Sequence, residues 1–497
     1  MRSFLPVLSF FLLLSLFPAV AGSVRIRSQE EFDRLGEMVL TQLQTEDSVH
    51  VFLEHGLYYF GERHLSLEGL SCPRASITVS GSGAVLVGRG TPGQMPAFDQ
   101  GFVNLENLCA FDPLGPVRKA SFWPFPVPFQ KKLYVLRCKG LPDVSESEAT
   151  GMKIILTQWF VGAVYDVVKI SRDRIFFRRV PYRTRIWSEL RFGRCLPRYM
   201  LFFPRKAVSA YPCSASNFLS VEKSRIGSVV MEGIHFLGNG EGDRLLRFSG
   251  VDADSVVVRG CIFEGIRSRG LLVEGTDHLR VWNNVFKRGA LNQVYVDKTS
   301  DDARIERNRF IENGLLMTND PIVDCKGRDF LVRGNYFEDF SYSAIGAGLH
   351  FTDTAGLVTS GVIEKNEICM SERYRQVPMR SLIDGGAIYV WTQNKDLTIR
   401  ENYIHDIAGP HGNRGIFGDD GVVNLTIVDN TVLRVQGSYA IDVRRVHRVG
   451  RRKESAIRKV NTGIVIRGNT YDGRVRIHVR KEDPDSCLGE NIDRDEN

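Results

Sequence analysis

Short runs that alternate apolar and polar residues fill the chain from Val229 onward, and no long amphipathic helix separates them. Gly386-Ala387-Ile388-Tyr389-Val390 is one such run. Its period of two and its β-branched content predict a strand with alternate residues turned inward. Seven segments align around an Asn followed two residues later by a large apolar residue. They pair Asn284 with Phe286, Asn308 with Phe310, Asn335 with Phe337, Asn366 with Ile368, Asn402 with Ile404, Asn430 with Val432 and Asn469 with Tyr471. Upstream, Gly260 with Ile262 and Gly233 with His235 fill the equivalent places. The Asn intervals are 24, 27, 31, 36, 28 and 39 residues, the variable period of a solenoid coil. Asn suits a tight turn because it tolerates the left-handed conformation, and stacked amides can bond one another. A doubly wound α/β sheet is excluded. The pattern predicts an all-β, right-handed parallel β-helix.

Such a solenoid has open sheet edges at its ends that need covering. Ser28-Gln29-Glu30-Glu31 forms a capping box, and Phe32, Leu35, Val39 and Leu43 fall on one helical face behind it. This predicts a helix plugging the N-terminal end. Strand-like runs at Val49–Leu53, Leu65–Leu70, Ile77–Val79 and Ala84–Val87 then begin the coils. From Met95 to Asn217 the pattern breaks. This stretch holds the Pro-rich segment Phe122–Pro128 and longer strands at Met152–Thr157 and Tyr165–Ile170, a β-rich insertion.

At the very start, Arg2, the apolar run Phe4–Phe17 and Ala19-Val20-Ala21 read as a signal peptide cut after Ala21. No later segment is apolar for the roughly 20 residues a bilayer requires, so no integral membrane segment is expected. The division is then 1–21 signal peptide, 22–94 cap and first coils, 95–217 insertion, 218–481 main β-helix and 482–497 polar tail. A protein so exported is secreted or periplasmic. The composition, 43% hydrophobic and 25% charged, is that of a folded soluble protein. The net charge of +7 is concentrated in Arg172–Lys206 and Arg444–Lys459. An exported basic protein meets acidic glycans more naturally than nucleic acid, although a merely solvated basic face reads the same way. The nine cysteines form no CxxC pair, which removes zinc spacing. Cys261, Cys325 and Cys369 fall within repeats, as small core residues would. No GxGxxG after a strand, P-loop or HExxH occurs, so no cofactor is expected.

Alternation places the candidate chemistry. With Ile388 and Val390 inward, Tyr389 and Trp391 face out. The same register makes one outward column of Tyr295, Asp324, His350, Tyr389, Phe417 and Asp442. A second column holds Asp297, Lys326, Thr352, Trp391, Asp419 and Arg444. Stacked aromatic, acidic and basic residues suit a sugar-binding groove, since aromatic faces cover sugar rings and carboxylates supply acid and base. Two adjacent coils stand out, Asp384–Tyr389 and Gly415–Gly421, the second containing Asp419 and Asp420. Strict alternation points Asp384 inward, so its place in the groove requires a bend at Gly385-Gly386. Extra residues at Ser371–Ile383 and at Ala408–Arg414, with His411, predict loops walling this region. The alternative reading of these Asp residues is as turn formers, above all Asp420 before Gly421.

The runs Asp384–Tyr389, Asn402–Asp406 and Gly415–Gly421 resemble the pattern of pectin-lyase-fold carbohydrate-active proteins, nearest to glycoside hydrolase family 141 and its relatives. The resemblance covers Val229–Asp472. It implies a glycoside hydrolase whose acid pair is Asp384 with Asp419 or Asp420. The chain departs from that pattern at Phe417-Gly418, where a Tyr and a larger apolar residue are more usual. Neighbouring coils lie roughly 4.8 Å apart, close to the roughly 5–5.5 Å between the carboxyls of retaining enzymes. Two other functions stay open. A lyase acting on a uronate glycan would use Lys326, His350, Arg444 or Tyr389 as base, with Ca²⁺ on Asp297, Asp324 and Asp353. A β-helix that only binds glycan would need no acid pair.

Overall fold

The computed structural model describes residues 22–88, 215–239, 244–314, 320–349, 359–375, 385–391, 394–408, 413–419, 421–436, 439–444, 461–477 and 486–493, with shorter stretches between 117 and 202. Among these, successive strands go in turn to three parallel sheets of 13, 12 and 11 strands. We call them the first, second and third sheets, in the order the chain visits them within a coil. Connections of this kind wind right-handed. The chain is a right-handed parallel β-helix.

The interior follows from alternation within each short strand. Phe236, Phe263, Phe286, Phe310 and Phe337 stack in one row, with successive ring centroids 5.1, 4.5, 4.8 and 4.6 Å apart. Ile368, Ile404 and Val432 continue the row, buried and in register. Stacked identical positions pack at crystal-like density without any helix to cover them. Cys261 and Cys325 belong to this core, whereas Cys369 is buried on the outward side, its Sγ 3.7 Å from the Tyr336 hydroxyl.

The Asn column forms a continuous ladder. Asn284, Asn308, Asn335, Asn366, Asn402 and Asn430 each donate Nδ2–H to the Oδ1 of the next Asn at 2.9–3.0 Å. The same Oδ1 accepts the preceding residue's backbone N–H, as in Asn308 to Asn335 at 2.9 Å. Asn469 passes the ladder on to Asn491, which the alignment did not include. The structure corrects two details. The residue with positive φ is the one before the Asn: Asn283, Arg307, Gly334, Lys365, Glu401, Asp429 and Gly468 have φ between 55° and 66°. The upstream equivalents are accordingly Cys261 and Ile234, one residue later than Gly260 and Gly233, and Cys261 N–H donates to Asn284 Oδ1.

At the N-terminal end, the helices Gln29–Asp33 and Leu35–Gln42 bury Phe32, Leu35 and Val39 against the first coils. Ser28 caps the first helix by accepting from Glu31 N–H, and the Glu31 carboxylate reaches back to Arg27 N–H. The strands described between Val117 and Phe202 form a separate antiparallel sheet of seven.

The ladder makes a prediction. Asn335→Ala strips partners from Asn308 N–H and from the buried Ile305 carbonyl. Leaving such groups unmade should lower the unfolding free energy by about 2–4 kcal/mol in denaturant titration. Removing the exposed Arg34–Glu37 pair by Glu37→Ala should cost under about 0.5 kcal/mol.

Candidate functional site

The coil is regular at one corner and variable at the other two. From Arg259 and Ile262 to Arg467 and Thr470, exactly two residues separate each first-sheet strand from its second-sheet strand. The fixed ladder turn occupies that corner. All variation in coil length therefore falls on the connections either side of the third sheet, and loops built there border its outer face.

The third sheet begins with an irregularity. Ala344-Ile345, Ala387-Ile388 and Ala440-Ile441 place two consecutive residues in the core. Gly415 behaves alike, since a Cβ on it would lie 2.4 Å from Val432 Cγ1. A Cβ on Gly386 would instead meet Phe417 Cβ at 3.0 Å, on the outside. Facing thus reverses between Gly386 and Ile388. The bend that alternation required near Asp384 exists, one residue later than Gly385-Gly386.

Past this corner the expected alternation holds, and Ile388, Val390 and Ile416 are in the core. The outward column in register is Tyr295, Asp324, Gly346, Tyr389, Phe417, Asp442 and Arg476. His350 was expected in this column and lies outside the described residues. Gly346 holds that place, because the corner before the third sheet sets the register from Ala344-Ile345. In the second column Trp391, Asp419 and Arg444 follow their strands as expected, and Gly348 takes the place assigned to Thr352. The outer face is also more enclosed than alternation implies. Tyr389 is 2% exposed and Asp419 3%, though neither lies in the coil's core. Tyr389 packs against Tyr342, Trp391 and Phe417, with ring centroids 5.5, 5.0 and 5.1 Å away.

Two polar groups form on this face. In the C-terminal one, the Tyr389 hydroxyl donates to Asp419 Oδ2 at 2.7 Å and Arg444 Nε donates to Asp419 Oδ1 at 2.8 Å. Arg414 Nε and Arg476 Nη2 donate to Asp442 Oδ2 at 2.7 and 2.6 Å. Two guanidiniums lie over the Phe417 ring, Arg414 at 3.8 Å and Arg444 at 5.0 Å from its centroid. In the N-terminal group, buried Asp324 has Lys326 Nζ 3.5 Å from its Oδ2. Lys326 and Arg269 approach the Tyr295 ring at 5.2 and 5.4 Å. Burial raises the Tyr295 hydroxyl and, more tellingly, holds the Asp324 carboxyl above its ordinary range. The first sheet offers a contrast. Its outer column runs Glu232, Arg259, Trp282, Glu306, Arg333, Glu364 and Arg400, whose charges pair with their neighbours as a plain solvated face does.

Of the residues read from the sequence, the structure brings together Tyr389, Trp391, Asp419 and Arg444, with Asp442 beside them and Asp324 and Lys326 toward the N-terminal end. Asp384, Asp420, His350 and His411 lie outside the described residues, as does Asp353. Arg414 and Arg476 were missed. Strict alternation back from Ile416 turns Arg414 inward, and the double-inward corner turns it out. The signal was present: a small residue before Ile recurs in four coils, at Ala344, Ala387, Gly415 and Ala440. Among the described residues no cluster of three or more His, Cys, Asp or Glu could hold a metal ion, and no helix is long and apolar enough to cross a membrane.

No protein-family model and no curated protein matches this chain. Solved structures do. A glycoside hydrolase is 12% identical, covering 94% of this chain and 91% of its own, with a TM-score of 0.43. The A-module of an Azotobacter vinelandii mannuronan C-5 epimerase is 12% identical, with coverages of 95% and 92% and a TM-score of 0.45. A Yersinia enterocolitica family 28 exopolygalacturonase is 11% identical, with coverages of 83% and 76% and a TM-score of 0.29. These are likenesses of fold.

Asp442 is fully buried and paired with two guanidiniums, those of Arg414 and Arg476. Asp442→Ala removes a buried counter-ion shared by Arg414 and Arg476 and should destabilise by about 3–5 kcal/mol. Arg444 is more exposed, so Arg444→Ala should shift the denaturation midpoint less.

Proposed function

We propose that this is an exported carbohydrate-active protein that takes a polysaccharide along the outer face of the third sheet. One observation carries the reading. On this face buried carboxylates, Asp324, Asp419 and Asp442, stand against aromatic rings and cations, beside the corners where the described coils vary in length, while the first sheet carries a self-paired charge ladder. The fold neighbours named above, a glycoside hydrolase, an epimerase and an exopolygalacturonase, agree with it. Residues 1–21 supply the export signal.

For the reaction we propose glycoside hydrolysis by Asp384 with Asp419 or Asp420. Hydrolysis needs one carboxyl as proton donor and one as carboxylate. Asp419 accepts from both Tyr389 and Arg444, an arrangement that suits the carboxylate role and leaves the donor role to Asp384. Asp324 is three coils from Asp419, about 14 Å at one strand spacing per coil, beyond the roughly 9.5 Å limit for a hydrolytic pair. It therefore belongs to substrate binding. A second reading, elimination on an acidic glycan with Lys326 or Tyr389 as base, is favoured by one observation: the Lys326 ammonium stands beside a carboxyl whose charge burial suppresses.

Assays against a panel of neutral and acidic polysaccharides, read as reducing sugar and as unsaturated-uronate absorbance, separate these readings. Hydrolysis predicts reducing ends without the absorbance. Asp384→Asn and Asp419→Asn should each then lower the rate roughly 10² to 10⁴-fold with the fold intact. Full activity in Asp384→Asn refutes its role. Absorbing products that vanish in Lys326→Ala replace hydrolysis by elimination. Glycan binding without any cleavage leaves a binding protein.

A further inference from the structure

The basic stretch that begins at Arg172 has no part in the site described so far. It enters the antiparallel sheet of the insertion, where the hairpin of Val161–Ser171 and Arg174–Arg179 pairs with Lys153–Gln158 on one side and with Leu133–Arg137 on the other. The hairpin has two unlike faces. Val167, Ile170, Ile175 and Phe177 are buried and make up one of them. Arg174, Phe176 and Arg178 alternate with these, and both arginines are exposed. Register puts Lys169 opposite Phe176 and Asp166 opposite Arg178 on this outer face. On the adjoining strands Arg137 stands opposite Arg174, and Lys153 opposite Asp166. Around the hairpin the outer face therefore holds basic positions at Lys153, Lys169, Arg174, Arg178 and Arg137 against an acidic one at Asp166.

A solvated charged face is built differently. On the first sheet Glu232 pairs with Arg259, Glu306 with Arg333 and Glu364 with Arg400. Here Arg137 and Arg174 are direct cross-strand neighbours, a placement in which like charges destabilise the sheet. Arg174 and Arg178 form no ion pair among the described residues. Lys169 has the Glu146 carboxylate 3.8 Å away, itself mostly exposed, and its ammonium lies 5.3 Å over the Phe176 ring. At the turn exposed Arg172 adds a further cation, while its N–H donates to Asp143 Oδ1 at 2.8 Å. The sheet gains no stability from this crowding of one sign. What gains is a polyanion that touches several strands at once.

Nucleic acid, an anionic membrane and an acidic polysaccharide all carry the required charge. The export signal proposed above takes the chain away from nucleic acid. Stable attachment to a membrane takes an apolar signal besides cations, and no large apolar side chain among the described residues of this sheet is exposed. We propose that the outer face of the hairpin and its neighbouring strands is a second glycan site, one that holds an acidic polysaccharide by its carboxylates. This rests on the carbohydrate reading above and adds a site distant in sequence from the third sheet. Cations two residues apart on a strand are separated by about 6.8 Å and those on adjacent strands by about 4.8 Å, so a chain of carboxylates can meet several together. Each contact is weak, their number gives the affinity, and salt screens them all.

Calorimetric titration of the full chain with polygalacturonate, with dextran as neutral control, tests this at low and high salt. Arg174→Gln/Arg178→Gln removes two exposed charges that the fold does not pair, so its melting temperature should match or exceed that of wild type. It should bind polygalacturonate roughly tenfold more weakly at low salt and lose much of the salt dependence. Arg174→Glu/Arg178→Glu should weaken binding further. Whichever panel glycan the third sheet takes, both variants should bind or cleave its short neutral oligosaccharides as wild type does. Equal affinity of wild type and the variants for polygalacturonate overturns the second site. Binding of phosphatidylserine vesicles in place of polygalacturonate, lost in the variants, assigns the face to a membrane and overturns it as well. If polygalacturonate is not bound while another panel glycan is bound or cleaved, the second site falls and the carbohydrate reading stands. If no glycan is bound or cleaved, both fall.

Discussion

The hydrogen bond between one coil's Asn amide and the next is the constraint from which this structure is built. Each Asn from 284 to 469 spends its Oδ1 on the preceding coil and its Nδ2 on the following one and on a strand carbonyl. Because the amide is buried, a missing partner costs more than the bond itself contributes, so the ladder tolerates neither gaps nor slips. It fixes the turn between the first and second sheets at two residues in every coil from Arg259 to Arg467. It also locks the Phe row behind it, since Phe sits two residues after the Asn.

Rigidity at one corner moves freedom to the other two. Insertions can enter only beside the third sheet, and the variable loop lengths are found there. The outer face of that sheet then carries residues that a solenoid does not need for its own stability. Buried ion pairs such as Asp442 with Arg414 and Arg476 are poor sources of stability compared with apolar packing. Their presence on this face, with Arg414 and Arg444 over the Phe417 ring, is the arrangement of charge on which the proposed glycan site rests.

The fold was legible because its signal repeats. The Asn and the apolar residue two places on are a local pair, and seven copies fix the phase of the chain without any long-range information. The cap was equally local, in Ser28, Glu31 and the helical face of Phe32, Leu35 and Val39. What failed was phase across irregular backbone. His350 was set into a column by counting, and the corner at Ala344-Ile345 puts Gly346 there. Arg414 was hidden by the same device, two consecutive inward residues at Gly415-Ile416. The assignment of left-handed geometry to the Asn missed by one residue, because the amide needs a regular backbone to reach both neighbours and the residue before it absorbs the turn. Burial of Tyr389 and Asp419 depends on contacts across the sheet face, which period alone does not encode. The opposition of Arg137 and Arg174 was out of reach for a related reason: they meet only once their two strands are paired.

The central claim is that the third sheet's outer face is where this protein meets its glycan. Structure determination with a bound acidic oligosaccharide tests it most directly. The account predicts density running along that face past Lys326, Trp391 and Arg444, crossing successive coils. Density lodged instead on the outer face of the first or second sheet, with the third sheet bare, would contradict it.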